Sequence, residues 1–226
     1  MNINYTLMRS KRKTLAIHIT QAATVEVRAP LRVSIKDIEA FVQSKQLWIE
    51  QHTFEQQHRL ECKNNFMLQF GSMLQLHGIE YPLLQGTTKK VRFDGNAFLA
   101  PSELSSEQLK QAIIKLYRLL AKKTICERLD VYARIMNLPV NSIRITAAKT
   151  RWGSCSSKNR LCFSWRLIFA DEQVIDYVVV HELAHIKEHN HSPAFWNIVA
   201  LYLPDYQNRR KKLRQLQEKL SQENWD

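Results

Sequence analysis

Glycine is scarce in this chain, with five among 226 residues and four of those between Gly71 and Gly95. A phosphate-cradling loop or a dinucleotide fingerprint needs closely spaced glycines ahead of a helix, so both kinds of nucleotide chemistry are excluded by count. The four cysteines, Cys62, Cys126, Cys155 and Cys162, form no C-x-x-C pair, which argues against a thiolate zinc ribbon or a dithiol redox motif. They are expected to be reduced and, for the most part, buried as small hydrophobes. No apolar run approaches the ~18 residues of a membrane span, and Met1 to Arg9 carries no apolar signal core. No membrane contact and a cytoplasmic location are therefore expected.

Hydrophobic residues at 45% and charged residues at 24% fit a globular protein large enough to bury a core unaided. Lysine and arginine outnumber aspartate and glutamate 33 to 21, for a net charge of +12. The surplus is not gathered into an arm: residues 1–100 carry 13 basic and 8 acidic groups, and residues 101–226 carry 20 and 13. Nucleic-acid binding is expected to be weak and non-specific at most, and to disappear between low and physiological salt.

Residues 1–100 read as a β-rich N-terminal region with one helix. Tyr5 to Arg9, Thr14 to Thr20 and Thr24 to Ala29 are β-prone runs. Leu68 to Phe70, Met73 to His77, Tyr81 to Leu84, Lys89 to Phe93 and Ala97 to Leu99 form a second set, punctuated by glycines. Between the sets, Ser34 and Asp37 have the spacing of a helix start, and Ile35, Ile38, Val42 and Ile49 follow as an apolar stripe. From residue 101 to 226 helices dominate. Ser105 to Gln108 has the form of a capping box ahead of Leu109, Ile113, Leu116 and Leu120, in one long helix or two joined near Thr124. Ile143 to Phe169 reads as a β-hairpin, Asp171 and Ser192-Pro193 each open a helix, and Leu213, Leu216 and Leu220 mark the last one.

Four of the eight histidines fall within eleven residues: His181, His185, His189 and His191. His181-Glu182-Leu183-Ala184-His185 is an H-E-x-x-H segment in a helical stretch. Residues at i and i+4 share a face, so both imidazoles can reach one ion. Glu182 can then serve as general base toward a water on that ion. Three candidates exist for the third ligand: His191, His189 and a distant carboxylate. On a continuing helix His189 would lie about 12 Å beyond His181 along the axis, too far for one zinc. Asn190 tolerates the left-handed backbone that ends helices, which would bring His191 back over the metal and favours it.

Arg151-Trp152-Gly153-Ser154-Cys155 precedes the hairpin turn and holds the only glycine after residue 95. One reading makes it an edge strand that pairs with an extended peptide, with Arg151 or Ser154 touching substrate. The other has Trp152 and Trp165 packing the hairpin onto the metal helix, with Gly153 making room. Phe195 and Trp196 read as core anchors for the His191 turn. In the last helix Arg209, Arg210, Lys211, Lys212 and Arg214 are expected to face water.

Together, Arg151 to Cys155, His181 to His185 and His191-Ser192-Pro193-Ala194-Phe195-Trp196 resemble the YgjP-like metal-dependent hydrolases, relatives of the SprT-like and WLM zincin-like peptidases. Arg12 to Leu15, Val27 to Pro30 and Lys45 through Trp48-Ile49 extend the likeness over nearly the whole chain; Lys158-Asn159 departs from it where a glycine or small residue is common. The resemblance implies His181, His185 and His191 as metal ligands and Glu182 as the catalytic residue. The fold expected is α+β, with a β-rich N-terminal half followed by a zincin-like helical half holding a β-hairpin and the H-E-x-x-H helix. The domains expected are 1–100 and 101–226, the second being the hydrolase. The function expected is zinc-dependent hydrolysis of a peptide or protein substrate, with another divalent metal compatible with the same ligands. Alternatives are a metal-dependent nucleoside triphosphate pyrophosphatase acting on a nucleotide, and a non-catalytic, zinc-stabilised, nucleic-acid-associated protein.

Overall fold

The computed structural model describes residues 3–225, and the fold is α+β. The chain divides into two compact units. One runs to Phe66 and takes in Ser221–Asn224; the other runs Met67–Leu220 with Trp225. The strands between residues 73 and 100, grouped by sequence with the N-terminal region, thus cluster with the second unit.

In the first unit β1 (Thr6–Ser10), β2 (Ala16–Ile19) and β3 (Val25–Pro30) form a sheet ordered β1-β3-β2, with β1 parallel and β2 antiparallel to β3. Alternation on β3 sends Val25, Val27 and Ala29 to one face, where they meet Ile38, Val42 and Ile49. Ile38 and Val42 belong to α1 (Ile35–Ser44), whose Ser34 cap accepts the Asp37 N–H at 3.1 Å and donates to its carboxylate at 2.6 Å. Ile35, expected in the buried stripe, is half exposed. The helix breaks at Lys45, and α2 (Gln46–Asn65) follows. Its length was not foreseen, because beyond Ile49 it carries no apolar stripe. Gln46–Glu50 and Gln51–Glu55 hydrogen bonds one turn apart support it instead. Helices thus occupy about as much of the first hundred residues as strands do.

The second unit opens with β4 (Met73–Leu76), β5 (Ile79–Gln85), β6 (Arg92–Phe93) and β7 (Phe98–Ala100), ordered β4-β5-β7-β6. Leu68 to Phe70 is not a strand. A single helix, α3 (Ser106–Met136), spans the stretch where one or two were expected. It starts with the anticipated box, in which Ser105 and Gln108 exchange side-chain-to-backbone bonds, and ends on left-handed Asn137.

The hairpin is β9 (Gly153–Cys155) with β10 (Arg160–Ser164), and β8 (Ser142–Thr146) joins β10 in parallel on the other side, giving the order β8-β10-β9. Asn159 takes a positive φ of 52° in the turn, the conformation a glycine would adopt there. Leu161 to Phe169 is not strand throughout: after Ser164 it tightens into a 3₁₀ turn, Trp165–Phe169, fully buried under Tyr117 and Trp225. Then come α4 (Glu172–Ala184), α5 (Pro193–Tyr202) and α6 (Tyr206–Leu220). No described helix is long and apolar enough to cross a membrane. The four cysteines are free and half-buried rather than buried.

Candidate metal centre

Helix α4 begins on Asp171, whose carboxylate accepts the Val174 N–H at 2.8 Å, and buries Val178, Val179 and Val180 in the turn before the histidines. His181 and His185 then project from one face with ring centroids 4.9 Å apart. The helix stops at Ala184, and the Ile186, Lys187 and Glu188 N–H groups bond back to Leu183 and Ala184. This turn sets a tautomer. His185 Nδ1 lies 3.0 Å from the Glu188 carbonyl, which can only accept, so the proton sits on Nδ1 and Nε2 is left as a donor atom for a metal.

The chain does reverse at Asn190, but not by a left-handed residue: the non-glycine positive-φ positions among the described residues are Ala23, His77, Asn137 and Asn159. Asn190 acts through its side chain, accepting the Ser192 N–H at 3.1 Å in an Asx-type turn. Ser192 caps α5 by accepting from Phe195, with Pro193 in the first turn. His191 is thereby carried over α4, its Nε2 3.1 Å from His181 Nε2. His181, His185 and His191 offer ligand atoms within 4.8 Å of one another, and His189 is not among them. Two nitrogens on one tetrahedral zinc lie about 3.3 Å apart. Facing Nε2 atoms at such a distance either share a proton in a hydrogen bond or turn their lone pairs on a common cation, and with the His185 Nε2 freed beside them the donor set fits a divalent metal.

Phe195, fully buried, forms the apolar wall, its centroid 4.9, 4.5 and 4.8 Å from His181, His185 and His191. Burial, followed by the fields of His185, His191 and Arg210, lowers the His181 pKa to about 3, so this imidazole is neutral across the physiological range. His185 is lowered as well, chiefly by burial.

Glu182 is 4% exposed, and its Oε2 is buried without a hydrogen-bond partner. Burial raises its pKa to about 8, against the opposing field of Arg151. The carboxylate rests against β9: a Cβ on Gly153 would stand 2.5 Å from Oε1 and 2.6 Å from Cγ. Gly153 therefore makes room, as the second sequence reading held, and the group it makes room for is Glu182 itself. Cys155 faces the same side and its thiol is raised by burial and by Glu182. Ser154 alternates to the opposite face, opposite Cys162, so its backbone and not its side chain lies beside the site, on the open edge of the sheet. Arg151 is exposed, near enough for its charge to act on Glu182.

In the basic run of α6, Arg210, Lys211, Lys212 and Arg214 are exposed as expected and Arg209 is half-buried, and three of these side chains also have partners. Arg209 binds Asp205 and the Gln173 carbonyl, Lys212 binds Asp171, and Arg210 lies over Trp196. The sequence does not single out Arg210 because nothing in the run sets it apart from its neighbours.

A family model described as YgjP-like, metallopeptidase domain, matches residues 13–216. No curated protein matches the chain. Among solved structures, the metallopeptidase zymogen of Pyrococcus abyssi abylysin is 24% identical, over 44% of this chain and 97% of that one, with a TM-score of 0.38. The metallopeptidase zymogen of Methanocaldococcus jannaschii jannalysin is 26% identical over 42% and 94%, with a TM-score of 0.34.

Proposed function

The chain belongs to the YgjP-like family of metallopeptidase domains and is a metal-dependent hydrolase; from that premise we propose that it cleaves peptide bonds at a zinc ion held by His181, His185 and His191, with Glu182 as general base. The observation that carries the reading is the convergence of three imidazoles beside a buried carboxylate that has no partner of its own. When bound, the metal supplies Lewis-acid polarisation of the scissile carbonyl and of the attacking water.

The protein's own groups do the rest. The Glu188 carbonyl orients His185, and burial keeps His181 uncharged and ready to ligate. Phe195 excludes water from the back of the triad. Glu182 takes a proton from the attacking water at Oε2 and passes it to the leaving amine; burial alone favours its protonated form, and the charge of a bound divalent metal would hold it as the carboxylate this role needs. The open edge of β9 receives an extended peptide through main-chain hydrogen bonds, next to Arg151 and Ser154. All of these groups lie within residues 101–226, the segment we assign to the hydrolase.

The test uses the zinc-loaded full chain against casein and a panel of nucleoside triphosphates. Casein cleavage is expected, falling at least ~10²-fold in Glu182→Gln while metal content is kept. Elemental analysis is expected to show a larger zinc loss in His191→Ala than in His189→Ala. Diphosphate release without casein cleavage, or turnover retained in Glu182→Gln, overturns the reading.

A further inference from the structure

Helix α6 carries four consecutive cations whose surroundings differ sharply. Arg209 Nε donates to both Asp205 oxygens at 2.9 and 3.0 Å, and its Nη1 donates to the Gln173 carbonyl at 3.0 Å. Lys212 donates to Asp171 at 2.9 Å. Arg210, between them, has no hydrogen bond or ion pair among the described residues. It has a ring instead: its guanidinium carbon lies 5.3 Å from the Trp196 centroid. Trp196 in turn stacks on Tyr206 at 5.3 Å and on His191 at 5.7 Å. Stacking holds a guanidinium plane while leaving its five N–H donors open.

The place it is held is the rim of the metal centre. The Trp196 ring beneath it lies 5.7 Å from the His191 ring and 5.9 Å from the His181 ring. Had α6 needed this side chain only to dock on α4, the contacts of Arg209 show what that requires: a carboxylate and a carbonyl. Arg210 keeps the fork that matches a carboxylate and engages it with nothing among the described residues. On a peptide, the groups of that chemistry are Asp and Glu side chains and the terminal carboxylate.

Building on the peptidase reading above, we propose that Arg210 is a specificity-determining residue that receives a substrate carboxylate beside the histidine triad, so that acidic peptides are cleaved in preference to neutral or basic ones. Matched quenched-fluorescence peptides with Glu, Gln or Lys at each position within three residues of the cleaved bond test it on the zinc-loaded chain. The Glu peptide is expected to exceed the Gln peptide by about tenfold in kcat/KM, mainly through KM. Arg210→Gln is expected to erase that difference with zinc content unchanged, Arg210→Lys to keep part of it, and Arg210→Glu to turn the preference toward Lys.

A second readout avoids turnover: an acidic peptide of D-residues titrated into metal-free protein is expected to bind about tenfold more weakly to Arg210→Gln. Equal kcat/KM for the three peptides, a preference that survives Arg210→Gln, or tight binding of an oligonucleotide in place of the acidic peptide overturns the proposal and leaves the peptidase reading standing. No cleavage of any peptide overturns that reading, and the proposal with it.

Discussion

Helix α4 buries two carboxylates, Asp176 in its first half at 6% exposure and Glu182 near its end at 4%. Asp176 receives Arg128 through Nε and Nη2 at 2.5 and 2.7 Å and the Tyr132 hydroxyl at 3.0 Å, with Arg209 another 4.0 Å away. Glu182 has the backbone of Gly153 against one side and nothing bonded to Oε2. The first carboxylate is fully compensated and clamps α3 and α6 to α4. The second keeps a buried oxygen without a partner, a demand that a cation or a water held by the adjacent histidines would meet. Unmet polar demand, more than burial or charge alone, separates the chemical end of this helix from the structural end.

The two ends are expected to fail differently. Asp176→Ala leaves Arg128 half-buried without its partner and is expected to cost about 3–5 kcal/mol of stability. Glu182→Gln removes no partnered charge, so its loss falls on hydrolysis alone. Urea titrations of both variants beside their zinc contents check this. A Glu182→Gln protein as destabilised as Asp176→Ala would erase the distinction.

A smaller effect is expected at Gly153. An added methyl cannot fit beside Glu182, whose side chain must move from Cγ outward. With Glu182 as the proposed base, its displacement on the order of 1 Å costs about 10²-fold in rate. Gly153→Ala is therefore expected to lower kcat by that order with zinc retained and the fold intact by circular dichroism. Gly153→Ala with unchanged kcat would mean that Glu182 has another seat.

How much of this was legible beforehand follows from how local each signal is. The convergence of His181, His185 and His191 was readable because helix rise is fixed by backbone geometry and excludes His189. The means of reversal was not, since Asn190 can turn the chain by its side chain or by its backbone. Gly153 announced a close approach as the sole glycine of its half, but its counterpart on α4 is a tertiary fact. Arg210 is one of four adjacent cations, and only packing shows that Arg209 and Lys212 are hydrogen-bonded while Arg210 is held by a ring. The length of α2 escaped for the opposite reason: a helix without an apolar stripe leaves no period to find.

The smallest expected effect separates the two carboxylates by pH in the metal-free protein. Glu182 has an ordinary pKa of 4.5 when unfolded and about 8 when folded, so between these values unfolding releases a proton and stability falls as pH rises. His181 works the other way: 6.5 unfolded and about 3 folded, it adds stability as pH climbs to 6.5 and nothing above. Between pH 4.5 and 6.5 the two largely offset each other, leaving the interval from 6.5 to 8 to Glu182. Over it, chelator-treated wild type is expected to lose on the order of 2 kcal/mol, at about 1.36 kcal/mol per unit. Glu182→Gln cannot ionise and is expected to stay flat, overtaking wild type at pH 8, while Asp176→Ala keeps the wild-type slope from a lower starting point. Saturating zinc is expected to flatten the wild-type curve, because a divalent charge beside Glu182 stabilises the carboxylate that burial alone opposes. Urea midpoints at pH 6.5 and 8, with and without zinc, measure all three curves, and a metal-free wild type equally stable at both pH values would show that the buried carboxylate is compensated after all.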